Sequence, residues 1–326
     1  MKKNNLNSLR LLFILLVSVV INVSCTKEIE GKLPTVTTRY IVDGYIESNA
    51  PPFVVLSRSS NVFNDLNISD PGSFLLHGAQ IKVSTGNDTT TLVEYCLKDL
   101  PFPDSTKALV LASLGIVTTD TSKIPNVCVY TVPDIFNYFF SGTCQFKGQE
   151  NKSYNLWINY ENTVMTATTT IPRAIGIDSL SWKKHPSATN DTLATVLANI
   201  DVPPTYGNFI RYWTKRNKET YYAPLSQSVY DDKFFSGKKL ALPLERGQSP
   251  YADNDRYTYG YFWRGDTVTL KWANIDAATF DFFYTLENDG TNNPFTSPVK
   301  VKSNINNGFG IWAGYGVSLY TIKIPQ

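Results

Sequence analysis

Cysteine thiols are the most reactive side chains in this chain, and the first of its four cysteines follows a leader-like segment. Basic residues open the chain, an apolar run extends from Leu11 to Val17, and Ser24 directly precedes Cys25. A basic region, a short apolar region and a small residue before the break are typical of a secretory signal. A cysteine at that point predicts a lipoprotein signal peptide over residues 1–24, with cleavage before Cys25 and acylation of its thiol.

The apolar run is about half of the roughly 20 residues that a helix needs to cross a bilayer. Asn22 stands where lipoprotein signals usually carry Leu, so an ordinary signal peptide and a short membrane anchor remain alternatives. Acyl chains stabilise membrane binding by about 0.8 kcal/mol per buried methylene, and several chains give a stable anchor. We therefore expect a body tethered to a membrane through lipid on Cys25, with residues 25–36 as the tether.

The other three cysteines are an odd number for an oxidising compartment, so one disulfide and one free thiol are expected. Cys128 and Cys144 flank a hairpin-like excursion, which favours that pair, with Cys96 as the alternative partner. The spacings contain no CxxC, and His77 and His185 are isolated along the chain. We therefore predict a structural role for the cysteines, and neither a metal site nor a cofactor.

Paired carboxylates are the other side chains that could do chemistry. Asp231 and Asp232 are adjacent, and Asp253 and Asp255 flank one asparagine. Such pairs can serve a glycosidase as acid and base or bind Ca²⁺, but here they lie in polar loops. A hydrolase would need two carboxylates about 5–9 Å apart in one cleft, and no GxSxG motif is present. We predict a non-catalytic protein and keep a hydrolase as the second alternative.

Two further motifs resemble functional signatures. The glycine-rich segment Gly308–Gly314 lacks the lysine of a phosphate-binding loop, so its glycines predict a bent strand or a close backbone approach. Arg264, Gly265 and Asp266 spell an integrin-binding tripeptide, but they lie between two strand-like runs and predict an ordinary hairpin turn.

The net charge excludes one class of partner. Without residues 1–24, 27 of the 30 basic residues and all 28 acidic residues remain, which gives a net charge of −1. A chain with this balance has no general attraction for nucleic acid.

The elements that must position these residues are mostly strands. Residues 37–172 contain alternating runs rich in Val, Thr and Tyr, which predict strands. An insertion at about 97–140 interrupts these runs. Its apolar segment 107–116 predicts a short helix. Residues 173–326 start a second strand series and include a helix predicted over Asn274–Leu286. We predict a mainly β fold of two antiparallel β-sandwich domains, immunoglobulin- or fibronectin-like, with those two helices.

Aromatic residues in loops favour a binding surface as an alternative to core packing. The insertion and the segment Asn304–Tyr315 are the predicted contact regions. Within that segment the candidate partner contacts are Asn304, Asn307, Phe309, Trp312 and Tyr315.

Several local patterns occur together in a recognisable order. They are Val42–Ile46, Pro51–Ser59, Tyr154–Ile158, Thr166–Pro172, Gly207–Arg211, Gly265–Asp266, Ile275–Asp276 and Ser303–Ile311. As an ensemble they resemble the Bacteroidota lipoprotein family known as domain of unknown function 4249, over nearly all of the chain after Cys25. In such lipoproteins a short acidic stretch beside the lipidated cysteine, here Glu28 and Glu30, resembles a signal for export to the outer leaflet.

Genes of this family often neighbour those of TonB-dependent outer-membrane receptors. The resemblance therefore implies an outer-membrane lipoprotein, facing the cell surface or else the periplasm, that assists a TonB-dependent β-barrel transporter or captures its substrate. It supplies no catalytic residues. A stand-alone glycan- or peptide-binding surface lipoprotein is the first alternative, and the sequence does not identify a ligand.

Overall fold

The strands follow from alternation along the sequence, in which every second side chain faces the core. In the first strand, Val42, Gly44 and Ile46 are buried and the residues between them are not. The computed structural model describes residues 39–59, 71–107, 126–185, 191–249, 257–289 and 299–326. The predicted signal peptide, the tether and Cys25 lie outside these ranges, as does the helix predicted over 107–116 except for its first residue. No helix within the ranges is long and apolar enough to cross a membrane.

The protein is mainly β, as predicted. The N-terminal half (37–172) contains β1 Tyr40–Glu47, β2 Phe53–Arg58, β3 Gln80–Thr85, β4 Asp88–Cys96, β5 Cys128–Thr131, β6 Lys152–Tyr160 and β7 Thr163–Ile171. The C-terminal half (173–326) contains β8 Ser179–Lys184, β9 Leu193–Asp201, β10 Phe209–Arg216, β11 Val229–Asp231, β12 Lys239–Leu244, β13 Phe262–Trp263, β14 Thr267–Ile275 and β15 Phe309–Lys323. Among the described residues, the complete α-helices are α1 Ile135–Ser141 and α2 Ala277–Glu287, and residues 104–107 are also helical.

Eleven of these strands form one sheet, in the order β11-β10-β14-β15-β1-β2-β5-β4-β3-β6-β7. A second sheet contains four strands, in which β9 pairs with β8, β12 and β13. Strands of both halves therefore pair within the larger sheet. The expected arrangement as two β-sandwich domains is not confirmed by this topology.

The C-terminal strand β15 joins the two halves. Its first part, Phe309–Tyr315, pairs in parallel with β1, and its second part, Gly316–Lys323, pairs antiparallel with β14. Its side chains also enter three apolar clusters. Trp312 packs in the core of the N-terminal half, Ile322 contacts a core of the C-terminal half, and Ile311 lies in the cluster beside α2.

Glycines let β15 lie against its neighbours, which confirms the close approach predicted from the glycine-rich segment. Gly310 has φ +116°, and a Cβ atom there would collide with the carbonyl oxygen of Val42. A Cβ atom at Gly314 would lie 2.7 Å from the carbonyl oxygen of Thr170. Only a residue without a side chain fits both places.

Helix α2 begins where its sequence supplies a cap. The side chain of Asp276 accepts a hydrogen bond from the backbone N–H of Thr279, at 2.8 Å, which satisfies one of the free donors of the first turn. Thr279, Phe282 and Phe283 are buried on one face. The helix predicted over Asn274–Leu286 is thus confirmed, although its first two residues belong to β14 because they pair with β10.

Candidate functional site

Two of the predicted partner contacts build the interior of the protein instead. Trp312 is fully buried, and its Nε1 donates a hydrogen bond to the carbonyl oxygen of Tyr154 at 2.9 Å. The side chain of Asn304 makes two hydrogen bonds with the backbone of Trp312. Its Nδ2 donates to the Trp312 carbonyl at 2.8 Å, and its Oδ1 accepts from the Trp312 N–H at 2.9 Å. The prediction of a contact surface is wrong for Trp312, because the pairing of β15 with β1 packs this side chain in the core of the N-terminal half.

The remaining predicted contacts differ in exposure. Asn307 is exposed, and its side chain donates a hydrogen bond to the carbonyl oxygen of Val164 at 3.1 Å. Phe309 is half-buried at the start of β15. Tyr315 is only 4% exposed and lies against charged residues of the sheet, so it too is an interior residue rather than a surface contact.

The face of β1 opposite the N-terminal core forms an aromatic and polar site, which we call the β1 recess (Asp43, Tyr45, Glu47, Arg211 and Tyr315). Tyr45 stacks on the ring of Phe53, with centroids 5.6 Å apart, and its ring lies 6.1 Å from that of Tyr315. Because β1 pairs with β15, which pairs with β14 and through it with β10, residues of both halves meet on this face.

Arg211 is held by contacts on several sides. Its Nε donates to the hydroxyl of Ser228 at 3.1 Å, and one terminal nitrogen donates to the hydroxyl of Tyr315 at 3.2 Å. Its guanidinium carbon lies 3.3 Å from the ring centroid of Phe283 and 4.8 Å from that of Trp213. A guanidinium packed between aromatic rings in this way is fixed in position and keeps its charge.

Asp43 is the least satisfied charge of the recess. It is exposed to solvent, and its carboxylate makes no hydrogen bond or ion pair with any described residue. Desolvation nevertheless raises its pKa above the usual value, and the charge of Arg211 offsets only part of this rise. Protein atoms therefore lie close enough to Asp43 to desolvate it, although water still reaches the residue.

Desolvation also affects the two tyrosines of the recess and raises their pKa values. Desolvation raises the pKa of Tyr315 to about 12, despite the opposing effects of Arg211 and its hydrogen bond. The pKa of Tyr45 is also raised, chiefly by desolvation and then by the charge of Glu47. Both side chains therefore stay protonated at neutral pH, and the exposed Tyr45 can donate a hydrogen bond to a ligand.

One ion pair at the recess connects the two halves of the protein. Lys271 on β14 pairs with Glu47 on β1, and both side chains are less than one fifth exposed. The Lys271 ammonium also lies 5.2 Å from the ring centroid of Trp213. The recess thus combines the Tyr45 ring and hydroxyl with the Asp43 carboxylate, which no described residue binds, an arrangement suited to binding a polar ligand.

A second candidate surface lies on the insertion that the sequence analysis singled out. Phe139 and Phe140 on α1 are 65% and 82% exposed. Beside them, Phe102 and Phe136 line a groove, with ring centroids 6.4 Å apart. We call these four phenylalanines the insertion surface. Tyr95 supports it, with its ring 5.6 Å from that of Phe136 and its hydroxyl donating to the Pro133 carbonyl at 2.9 Å.

The first carboxylate pair, Asp231 and Asp232, holds a loop. Asp232 is buried and accepts hydrogen bonds from the Gly207 N–H at 3.0 Å and from the side chain of Asn208 at 2.6 Å. Among the described residues, the Asp231 side chain accepts one long bond, from the Lys233 N–H at 3.4 Å. The other pair, Asp253 and Asp255, lies outside the described residues.

The Arg-Gly-Asp tripeptide is a turn, but it does not close the predicted hairpin. It links β13, which pairs with β9, to β14, which pairs with β10 and β15 in the other sheet. Asp266 is buried and accepts hydrogen bonds from the Trp263 N–H and from Asn217, both at 2.9 Å. A buried carboxylate used in this way holds the turn and is not presented to a receptor.

The structure pairs Cys96 with Cys128 and leaves Cys144 as a free thiol. The favoured pair Cys128–Cys144 is therefore corrected in favour of the alternative partner. The reason is register: Cys96 and Cys128 face each other across the antiparallel pair β4–β5, whereas Cys144 lies beyond α1. The two facing positions are 32 residues apart, so no local spacing signals the pair.

One cluster was missed by the sequence analysis. The imidazole of His77 lies next to Glu94 and to the Cys96–Cys128 disulfide, and the four ligand atoms are all within 4.8 Å of one another. The description of His77 as isolated holds along the sequence only, because strand pairing brings the other three residues to it.

Comparison with known proteins adds the family. None of the curated proteins matches this sequence. The family model described as "Domain of unknown function (DUF4249)" matches residues 26–321, nearly the whole chain. This match confirms the resemblance read from the local patterns, and the chain belongs to that family.

Proposed function

We propose that this protein is a non-catalytic, lipid-anchored accessory subunit of the outer membrane that works with a TonB-dependent β-barrel transporter, either as a partner or by capturing its substrate. The observation that carries the proposal is the insertion surface. Phe139 and Phe140 expose 65% and 82% of their surface beside an aromatic groove. Clustered exposed aromatics of this kind are typical of protein interaction sites.

The support beneath the insertion surface favours recognition without large rearrangement. The Cys96–Cys128 disulfide joins β4, which ends where the insertion begins, to β5, which lies within the insertion before α1. The hydroxyl of Tyr95 is bonded to the carbonyl of Pro133, immediately before α1. A surface that is ordered before binding loses less conformational entropy when a partner docks.

The anchor makes a modest interface sufficient. Acylation of Cys25 would confine the body to the membrane plane, where a barrel partner is also confined. Confinement raises the effective concentration of one partner around the other, so a weak contact can support a stable complex. We place the protein in the outer membrane, with its body facing the cell surface.

We also propose that the two halves keep separate, sandwich-like cores that β15 joins. Val54 and Leu156 belong to one cluster of the N-terminal half, while Val196 and Leu270 belong to a cluster of the C-terminal half. In this arrangement the halves would fold around their own cores and share one long sheet.

A stand-alone glycan- or peptide-binding protein is the second candidate, and the β1 recess favours it. Tyr45 and Asp43 are both exposed on the same face of β1, so an aromatic surface lies beside a carboxylate. Screening the purified protein against glycans and peptides tests this candidate, with Asp43→Ala as the recess variant and Asp281→Ala as the matched control on the surface of α2.

A pull-down from outer membranes in mild detergent, with a C-terminal tag, tests the accessory function. We expect wild type to retain one dominant β-barrel protein, Cys25→Ala to retain less, and Phe139→Ser with Phe140→Ser to retain little. Phe234→Ser is the control, because Phe234 is 71% exposed but lies in the other half. Absence of a barrel from the wild-type sample would reject the proposal, as would equal capture by the double variant.

A further inference from the structure

Four potential metal ligands converge at one end of the strands that flank the insertion. Glu94 and Cys96 are two residues apart on β4 and therefore lie on the same face of the sheet. Cys128 is directly opposite Cys96 in the register of β4 and β5. His77 precedes β3, and its imidazole completes the group, with all four ligand atoms within 4.8 Å of one another.

The carboxylate of Glu94 is positioned in the middle of this group. Its Oε1 lies 2.6 Å from the Nδ1 of His77 and 3.7 Å from the Sγ of Cys96. Its Oε2 accepts a hydrogen bond from the N–H of Gly78 at 2.9 Å. This backbone bond fixes the carboxylate plane and leaves Oε1 directed at the imidazole and the sulfur.

With the disulfide closed, the group offers a metal only an imidazole and a carboxylate. A two-electron reductant, such as a dithiol, opens the Cys96–Cys128 bond: the disulfide takes up two electrons and two protons, and the dithiol becomes a disulfide. A divalent ion can then displace the two thiol protons and bind two thiolates together with His77 and Glu94.

We propose that reduction of the Cys96–Cys128 disulfide converts this group into a Zn²⁺ site whose four ligands are Cys96, Cys128, His77 and Glu94. Two thiolates, one imidazole and one carboxylate suit tetrahedral Zn²⁺ rather than Ca²⁺ or Mg²⁺, which prefer oxygen ligands. The bond lengths of such a site place its ligand atoms about 3–4 Å apart. The present separations approach this spacing, so side-chain rotations complete the site.

Both the reductant and the ion have access. The side chain of His77 is 47% exposed and that of Glu94 is 20% exposed. Cys96 and Glu94 also line the groove of the insertion surface. Because that groove belongs to the proposed partner surface, the state of the disulfide would couple metal binding to the shape of this region. The zinc proposal itself depends neither on the lipid anchor nor on a barrel partner.

Titration with Co²⁺ and Zn²⁺ tests the proposal on the full chain carrying Cys25→Ala and Cys144→Ser, so that Cys96 and Cys128 are the only thiols. After reduction with a phosphine, we expect one equivalent of Co²⁺ to give a thiolate-to-metal charge-transfer band and the visible bands of tetrahedral Co²⁺. Zn²⁺ should displace the Co²⁺. The oxidised protein should give neither band.

Ligand variants make the test specific. His77→Ala and Glu94→Gln should each weaken Co²⁺ binding by at least about tenfold, whereas His185→Ala, the only other histidine, should leave it unchanged. Equal binding by the oxidised protein, or unchanged binding by His77→Ala, would overturn the site.

Circular dichroism covers the case in which the reduced chain unfolds. One equivalent of Zn²⁺ must then restore the native spectrum, since a site present only in the folded chain couples binding to folding. A reduced chain that binds no Co²⁺ while folded, or that Zn²⁺ does not refold, refutes the proposal.

Discussion

The carboxylate of Asp276 in the C-terminal half accepts a hydrogen bond from the buried hydroxyl of Thr169 in the N-terminal half, at 2.7 Å. The same Oδ2 accepts from the N–H of Thr170 at 2.9 Å, while Oδ1 caps α2 through the N–H of Thr279. One side chain therefore caps a helix and binds that helix to β7, so the cap and this one contact between the halves share a single residue.

Asp276→Ala should lower the free energy of unfolding by about 2–4 kcal/mol, because a cap is lost and buried donors of β7 are left without partners. Chemical denaturation measures this change. Asp281→Ala is the control on the same helix: Asp281 pairs with Lys302 at 2.8 Å on the surface, and such a pair contributes at most about 1 kcal/mol. Equal effects of the two substitutions would contradict the role of Asp276.

The raised pKa of Asp43 predicts a pH dependence of stability. A raised pKa means that the folded chain binds this proton more tightly than the unfolded chain, whose carboxyl has the ordinary value of 3.8. The free energy of unfolding should therefore decrease as pH rises from that value through the folded pKa, and the charged carboxylate destabilises the protein at neutral pH.

Asp43→Asn removes this charge. We expect the variant to be more stable than wild type at pH 7, with a difference that shrinks as the pH falls through the folded pKa of Asp43 towards 3.8. Thermal unfolding across pH measures it. Asp191→Asn is the control of opposite sign, since a hydrogen bond from Lys184 lowers the pKa of Asp191. A less stable Asp43→Asn at pH 7 would show that the carboxylate stabilises the fold through Arg211.

The disulfide assignment predicts which thiol reacts. Alkylation of the unfolded, unreduced mature protein should label Cys144 alone, and mass spectrometry identifies the site. Labelling of Cys96 or Cys128 would contradict the pairing.

Loss of the disulfide should also destabilise the protein. The double variant Cys96→Ala with Cys128→Ala should lose about 3–4 kcal/mol, because the bond closes a loop across 32 residues of sequence separation. Cys144→Ser should change stability by less than about 1 kcal/mol, as is usual for a half-buried thiol outside the core. Denaturant titration under non-reducing conditions compares the three proteins.

The close approach of β15 to β1 predicts a large effect at Gly310. Gly310→Ala should cost about 2–4 kcal/mol, since the new methyl group meets the Val42 carbonyl and the backbone has φ +116°. Gly86→Ala separates the two causes: Gly86 has φ +54° but no atom within 4 Å of its added Cβ. Backbone strain alone should cost about 1 kcal/mol there, and an equal loss at both sites would exclude the collision as the cause.

Residue patterns along the chain were enough to predict most of the local structure. The alternating runs at residues 40–46, 154–160 and 164–171 became β1, β6 and β7 within one or two residues at their ends. The apolar face between Asn274 and Leu286 predicted α2, whereas the cap at Asp276 was not predicted. Short strands such as β5 and β11 were missed, because three or four residues carry too little alternation to be distinguished from a loop.

The site depended on information that no local pattern carries. Nothing in the sequence near Cys96 shows that Cys128 will face it, or that His77 and Glu94 will meet beside the pair. The recess likewise needs β1 and β15 to become neighbours from opposite ends of the chain before Asp43 can lie near Arg211. These contacts follow from strand order and register, which depend on long-range pairing.

The sequence by itself determined the family, the mainly β class, the principal strands and the helix α2, because these features arise from periods of two or 3.6 residues and from motifs in a fixed order. Only the tertiary structure decided that both halves share one sheet, that Trp312 is buried and that Cys96 pairs with Cys128. The physical reason is that the burial of a side chain depends on which strands become neighbours. The strand order is stabilised by packing contacts throughout the fold, so no local segment of the sequence determines it.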